Sequence, residues 1–576
     1  MNALLPAWAE EMRDLFKSGS ISQFLLHGNV FDTVLTPGST EPRMLSLGAF
    51  LDDVMFEKYD VILHYDRGRG IRATRGADDW GEWLRLALGD QASSIVQLRE
   101  PGAAMELIDR YLLRCLNLQS LRGKEAGLHK IAVVIEFGEF VIPRGDPLHL
   151  GGAFSSNVVK VLGWANDPAI LRSDIATVII AEGLHDLNSL VVENPHAAAL
   201  NLPLPGEQEM SEYVRMLDAT SLYGLKSRCE ISLDALGRRL SGLSRVGAYT
   251  VLSRALKNEK TLTSSWLTRM KKERIEKECQ GLLEFLESTF TLDNLSGSEN
   301  AKAWLREDAA LMRQGVLNAL PMGYLITGRI GTGKTFLIQC WAGELGIPCV
   351  IFKNFRDRWV GATESNLEKI FSILRALGQV VVFVDEADQA AGKREGGDSD
   401  GGLSGRVYAM LAKEMSDTRN RGRIIWVFAT SRPDLLEVDL KRQGRLDVHI
   451  PMFPPETPGE MHSLFLAISR KLKVNLAESD IPDIPSELAV SGNEIEGILV
   501  RALRIQALSG TGQTPLRGIL ADVLREVRPS AHRRKMEYMD LVAVKECTDS
   551  RFLPERFRDI PPEELDRRIE DLRRFV

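Results

Sequence analysis

Residues Gly328 to Thr335 read Gly-Arg-Ile-Gly-Thr-Gly-Lys-Thr. The run fits the phosphate-loop pattern of glycine, any four residues, then Gly-Lys-Thr. Before it, Tyr324-Leu325-Ile326 predicts a strand; after it, Phe336-Leu337-Ile338-Gln339-Cys340-Trp341-Ala342 predicts a helix. That context separates the pattern from a Gly-rich turn with a solvated lysine. Glycines let the backbone approach phosphates, so that successive N–H groups point at them. The helix N-terminus adds favourable dipole charge. Gly328, Arg329, Ile330, Gly331, Thr332, Gly333 and Phe336 are therefore candidate nucleotide contacts. Lys334 would reach the β- and γ-phosphates, and Thr335 would hold Mg²⁺ through its hydroxyl.

A second stretch answers the first. Val380-Val381-Val382-Phe383-Val384 is an apolar run followed by Asp385 and Glu386. It predicts a central strand with two carboxylates at its C-terminal end, where open α/β sheets bind ligands. Asp385 would hold Mg²⁺, directly or through water, and Glu386 would act as general base on the attacking water. A phosphate loop about 50 residues upstream is the separation expected within one nucleotide-binding core. Without it the pair would read as solvated acids ending a strand.

The chain is long enough, at 576 residues, for roughly two or three domains. Its 44% hydrophobic and 26% charged residues suit a globular protein that folds in water. A net charge of −7 argues against a uniformly nucleic-acid-coating surface and leaves a local basic stripe open. Six scattered cysteines show no zinc or redox spacing, so reduced thiols and a cytoplasmic protein are expected. The first residues carry Glu10, Glu11 and Asp14 and do not resemble a signal peptide. No apolar run approaches the ~18 residues of a membrane span, so no membrane partner is expected.

The first half has strand-like runs without a phosphate loop: Phe24 to Val30, Ile131 to Glu136, and Val178 to Ala181. Their continuous apolarity suits strands buried on both faces of a parallel sheet. Their order echoes the second half. Ile131–Glu136 parallels Val380–Asp385, Val178–Asp186 parallels Val427–Asp434, and Leu202–Pro205 parallels Ile450–Pro454. A divergent internal repeat is expected, with Phe137 standing where the second half has Glu386. An unrelated α/β domain is the other reading. The expected domains are an α/β domain over 1–206, its helical lid over 207–260, a helical linker over 261–289, a nucleotide-binding core over 290–456, a second helical lid over 457–530, and a helical tail over 531–576. The mixed charges of the linker read as a solvated helix face. The tail could dock on its own domain or on a neighbour.

Residues from about 290 to 530 resemble an AAA ATPase module of the AAA+ phosphate-loop NTPases, with several motifs in order. Phe290 to Gly297 resembles the segment beside adenine, and Ser491 to Glu496, with Gly492, resembles the lid-helix start that faces it. Trp359, Val360 and Gly361 resemble an aromatic-aliphatic-Gly pore loop that grips a threaded polypeptide; a core-packed Trp359 is the plainer reading. The Gly-rich run in Lys393–Gly405 sits where that family has a second pore loop, and reads equally well as a loop without a role. Ser431 follows Thr430 where the family carries the sensor-1 Asn, so a shorter hydroxyl stands in for an amide.

Asp439 to Asp447 resembles the arginine-finger segment, with Arg442 and Arg445 as the fingers. Planar guanidinium suits the γ-phosphate of a neighbouring subunit. Surface ion pairs are the alternative for both residues. Across most of its length the chain is similar to bacterial and plastid AAA proteins that pair a degenerate N-terminal AAA-like half with an active C-terminal one.

That resemblance implies an α/β AAA+ fold and an ATP- and Mg²⁺-dependent ATPase, assembled as a homo-hexamer. Such an enzyme would couple hydrolysis to remodelling or unfolding of a protein substrate, in a chaperone-like role. Glu386, Lys334, Ser431, Arg442 and Arg445 are the catalytic set it implies. A second expectation is an ATP-controlled assembly switch with slow hydrolysis and no threading, which Ser431 keeps open. A nucleic-acid motor is disfavoured by the acidic total and by the lack of a recognisable nucleic-acid module. No zinc-protease or Gly-x-Ser-x-Gly signature is present.

Overall fold

The computed structural model describes residues 5–36, 43–89, 99–122, 130–146, 149–257, 261–279, 281–353, 364–388, 409–474, 476–482, 484, 490–508, 516–527 and 532–575. Trp359, Val360, Gly361 and the Gly-rich run at 393–405 lie outside them. The chain divides into two compact units, Met1–Ile275 with Gly361–Ala376, and Glu276–Val360 with Leu377–Val576.

The first unit has strands β1 (Gln23–Gly28), β2 (Thr33–Leu35), β3 (Met44–Ser46), β4 (Val61–Asp66), β5 (Gly70–Arg75), β6 (Ile131–Ile135), β7 (Ile175–Ala181) and β8 (Ala197–Leu202). Six of them form a sheet in the order β5-β4-β6-β7-β1-β8, parallel except for the β4–β5 hairpin. Every residue of β4, β6 and β7 is buried. Alternate residues feed two cores. Ile131, Val133 and Ile135 pack with Trp80 and Tyr111, while Ala132 and Val134 pack with Phe24 and Phe50. This is the period of two that makes an apolar run a two-sided strand. Each such valine or isoleucine contributes about 1.5–3 kcal/mol by burial, so a charge at Val133 would break the sheet. Helices Glu207–Thr220, Leu233–Leu240 and Arg245–Lys257 follow β8. The helix Glu364–Ala376 belongs to this unit as well. Arg144 Nη2 donates to its buried Glu364 at 3.0 Å, and Ser241 Oγ to the Ala376 carbonyl at 2.9 Å.

The second unit has β9 (Leu283–Phe285), β10 (Gly323–Thr327), β11 (Cys349–Phe352), β12 (Val380–Val384), β13 (Ile424–Thr430) and β14 (Val448–Pro451). They form one sheet in the order β14-β10-β13-β12-β11-β9, with only β9 antiparallel. Helices Pro458–Lys471, Gly492–Leu508 and Leu516–Glu526 enclose a separate core around Phe465, Leu499 and Leu520. The tail helices Arg533–Glu546 and Pro562–Arg573 close on Leu541, Val544, Phe557 and Leu565, against Phe453. Among the described residues no helix is long and apolar enough to cross a membrane.

The two sheets share one strand order. β8-β1-β7-β6-β4 in the first reads as β14-β10-β13-β12-β11 in the second. The three sequence parallels fall on matching strands: β6 with β12, β7 with β13, β8 with β14. Gly28 ends β1 and Gly328 directly follows the matching strand β10, with positive φ of 97° and 134°. A side chain on Gly28 would run into the carbonyl of Leu202, and one on Gly328 into that of Met452. The close approach between the first and last parallel strands is what demands glycine at both. From there the units part. The second continues into the glycine loop Gly328–Gly333 and the helix Lys334–Leu345, whereas the first turns into the β2–β3 hairpin.

Candidate functional site

The site lies where β10, β12 and β13 end, on the C-terminal edge of the second sheet. Gly333 takes the left-handed conformation (φ 90°) that lets the loop close and the helix Lys334–Leu345 begin at once. Lys334 folds back into its own loop. Its Nζ donates to the carbonyls of Gly328 at 2.7 Å and Arg329 at 3.0 Å, and to Ser431 Oγ at 2.9 Å. Thr332 Oγ1 donates to the Arg329 carbonyl at 2.9 Å. Burial lowers the Lys334 ammonium to about 8, against the opposing pull of Asp385, Asp388 and Asp540.

Thr335 Oγ1 donates to Asp385 Oδ2 at 2.9 Å, which joins the loop to the end of β12. A hydroxyl and a carboxylate side by side are oxygen donors of the kind Mg²⁺ takes. Glu386 is exposed and stands at φ 47°, and its backbone N–H donates to Asp385 Oδ1 at 2.9 Å. Behind it Asp388 accepts from Thr430 Oγ1 at 2.6 Å, and Thr430 Oγ1 accepts the Arg432 N–H at 2.9 Å. This ties the end of β13, at Thr430, to the segment after β12.

Beside the loop lies a cavity of about 570 Å³, bounded by Gly331, Gly333, Thr335, Phe336, Ile468 and Gly492 among others. That volume suits a ligand of nucleotide size. Phe336 meets Phe290 edge-on at 5.3 Å. The Gly492 N–H donates to the Gly331 carbonyl at 3.1 Å, so the helix Gly492–Leu508 starts on the glycine loop. Ile330 is exposed on the loop.

Arg442 and Arg445 are not brought to this loop. Both pair with Asp439, Arg442 at 2.8 Å. Arg442 is 69% exposed and Arg445 17%. Their segment is held at the beginning of β10: the Asp447 N–H donates to the Gly323 carbonyl at 2.9 Å, and Met322 N–H to Asp447 Oδ2 at 2.7 Å. The phosphate loop follows the other end of that strand, about 17 Å away along five residues.

One part of the site was not singled out in the sequence. The tail helix Arg533–Glu546 reaches three of its segments. Asp540 Oδ2 stands 3.8 Å from Arg329 Nη1, Tyr538 donates to Asp434 at 3.1 Å, and Glu546 pairs with Lys441 beside Arg442. The available signal was Asp540 itself, an acid inside the apolar run Met539 to Val544.

In the first unit Glu136 takes the place of Asp385, paired with His64 at 2.8 Å and Arg72 at 3.2 Å. Phe137 follows it at φ 55°, its ring 5.6 Å from Phe31. Buried Asp32, in the turn after β1, accepts the N–H groups of Arg245 at 2.9 Å and Val246 at 3.0 Å. A carboxylate thus caps the helix Arg245–Lys257 where the second unit's lid helix meets its glycine loop.

Three family models match the chain. One for the N-terminal Rossmann-like domain of an AAA+ chaperone matches residues 2–203, and one for the second helical domain of an AAA+ chaperone matches 208–280. One for the ATPase family associated with various cellular activities (AAA) matches 324–453. Among curated proteins, Protein SAV of Sulfolobus acidocaldarius is 36% identical over 24% of this chain and 18% of its own length. The ATP-dependent zinc metalloprotease FtsH of Corynebacterium glutamicum is 32% identical over 41% of this chain and 28% of its own. The cell division cycle protein 48 homolog of Archaeoglobus fulgidus is 25% identical over 58% of this chain and 48% of its own. The chain thus spans less than half the length of each of these relatives.

Proposed function

With an AAA domain and two AAA+ chaperone domains in its sequence, the chain belongs to the AAA family of ATPases, and on that premise we propose that it is a Mg²⁺-dependent ATP hydrolase, oligomeric, that remodels a protein substrate. The observation that carries the proposal is the 2.9 Å hydrogen bond from Thr335 to Asp385. It sets a hydroxyl and a carboxylate beside the phosphate loop, where Thr335 and Asp385 would hold Mg²⁺. The metal would supply charge for the developing phosphate oxygens.

The chain's own residues do the rest. Lys334, already poised on three acceptors, exchanges them for phosphate oxygens. Backbone N–H groups of Gly331 to Thr335 orient the triphosphate. Phe336 and Ile468 exclude water around the base, with Gly492 at the lid. Glu386, exposed at the end of β12, accepts the proton of the attacking water. Ser431, in hydrogen-bond contact with Lys334, holds the γ-phosphate side of the site. Arg442 and Arg445 stand too far along β10 to serve their own loop, which supports a role on a neighbour's nucleotide and therefore a ring of subunits, a homo-hexamer by family. Trp359, Val360 and Gly361 would grip the substrate.

The test is a pull-down with the Glu386→Gln chain loaded with ATP. It is expected to hold nucleotide and a protein substrate together. A chain that stays ATP-bound and assembled while retaining no protein contradicts the remodelling role.

A further inference from the structure

The tail helix Arg533–Glu546 touches the phosphate loop, the segment after Ser431 and the segment before Arg442, all in one unit. Of its contacts, the one at the loop is unlike the others. Asp540 is nearly buried, 9% exposed in its side chain, and its Oδ1 has no hydrogen-bond partner among the described residues. Its Oδ2 stands 3.8 Å from the guanidinium of Arg329, itself only 11% exposed. Arg329 is the second residue of the phosphate loop, and its carbonyl is one of the three acceptors that Lys334 now uses. Lys334, Arg556 and Glu537 also act on Asp540 through their charges. A buried carboxylate with an unfilled oxygen is costly, so the nearby cation is held to it. Anionic phosphates arriving in the loop compete for that same cation.

We propose that Asp540 is a positioning residue for the phosphate loop: it holds Arg329 to the tail helix, away from the phosphates, and so loosens nucleotide binding and couples the tail to the state of the site. The inference rests on the ATPase reading and adds a control to it. The tail helix that loses Arg329 when nucleotide binds also carries Glu546, which grips Lys441 next to Arg442. Occupancy of one site is thereby passed to the arginines presented to the next.

The test is ADP affinity by calorimetry on the full chain, for Asp540→Asn, Asp540→Glu, Arg329→Gln and the Asp540→Asn/Arg329→Gln double variant. Asp540→Asn is expected to bind ADP at least roughly fivefold more tightly than wild type. A merely structural loss would weaken binding instead. Asp540→Glu restores the wild-type value. In the Arg329→Gln background the tightening shrinks to less than about twofold, because the cation it releases is gone. Equal tightening in both backgrounds, no tightening, or weaker binding overturns the proposal. Hydrogen exchange on the wild-type chain gives a readout that needs no variant. Exchange across residues 538–544 that rises on adding ADP supports the coupling, and exchange that stays or falls overturns it. If wild type binds neither ADP nor ATP, the ATPase reading falls too; if it binds and the variants match it, only the role of Asp540 falls.

Discussion

Phe137 and Glu386 hold the same left-handed backbone, φ 55° and 47°, at the same point of two sheets with one strand order. Each is the second residue beyond a fully buried strand. The conformation costs a residue with a side chain about 1–2 kcal/mol, and both units keep it. The backbone exit is thus common to the repeat, and the side chain alone differs. One unit presents a carboxylate, the one proposed as general base. The other presents a phenyl ring that packs on Phe31.

One nucleotide per chain follows. Wild type is expected to bind ATP at a stoichiometry of one, and Lys334→Ala to bind none, by equilibrium dialysis. In the first unit the β2–β3 hairpin replaces the loop, and Asp32 occupies the helix end that would face it. Binding at two sites per chain, or residual binding by Lys334→Ala at wild-type affinity, would contradict this.

Arg442→Ala is expected to keep nucleotide binding and to lose turnover by a factor of roughly 10³–10⁵, the usual worth of an arginine finger. Since the segment is held beside the beginning of β10 and the loop follows its end, mixing subunits discriminates. Arg442→Ala mixed with Lys334→Ala should regain part of the ATPase rate at interfaces that pair a sound loop with a sound arginine. Mixtures no faster than either variant alone argue that the two sites are not shared.

Trp359→Ala separates remodelling from switching. Loss of substrate unfolding with ATP turnover intact supports a threading grip. Full function in the variant supports an assembly switch without threading.

The first unit carries a pH dependence of its own. Burial alone would depress His64, but hydrogen bonds to Asp52 at 2.7 Å and Glu136 at 2.8 Å outweigh it and raise the imidazole to about 9. A raised folded value means stabilisation that is complete below the unfolded value of about 6.5 and lost as pH climbs through 9. It amounts to order 3 kcal/mol at about 1.4 kcal/mol per unit. Urea unfolding of the first unit is expected to weaken between pH 6.5 and 9.5 in wild type, and His64→Gln to lose most of that slope. An equal slope in both places the effect elsewhere.

Much of this was legible in the chain because it is local. A glycine loop between strand and helix, an apolar run ending in two acids, and three strand parallels are written in consecutive residues. The strand order itself was not, since nothing in Ile131–Glu136 says which strand lies beside it. Asp32 and Arg245, 213 residues apart, meet only through the fold. So do Arg329 and Asp540: an acid within an apolar helix face is visible, but its partner is fixed by tail docking. Ser431 was read as a shorter stand-in for an amide, and its contact to Lys334 depends on how far that lysine curls back.

Glu386, as proposed, performs the base step without being needed to bind ATP. The most direct measurement is phosphate release by purified Glu386→Gln beside its ATP affinity. ATP binding is expected near the wild-type value, with turnover reduced by a factor of roughly 10²–10⁴, the usual contribution of a general base. Hydrolysis at the wild-type rate would contradict it.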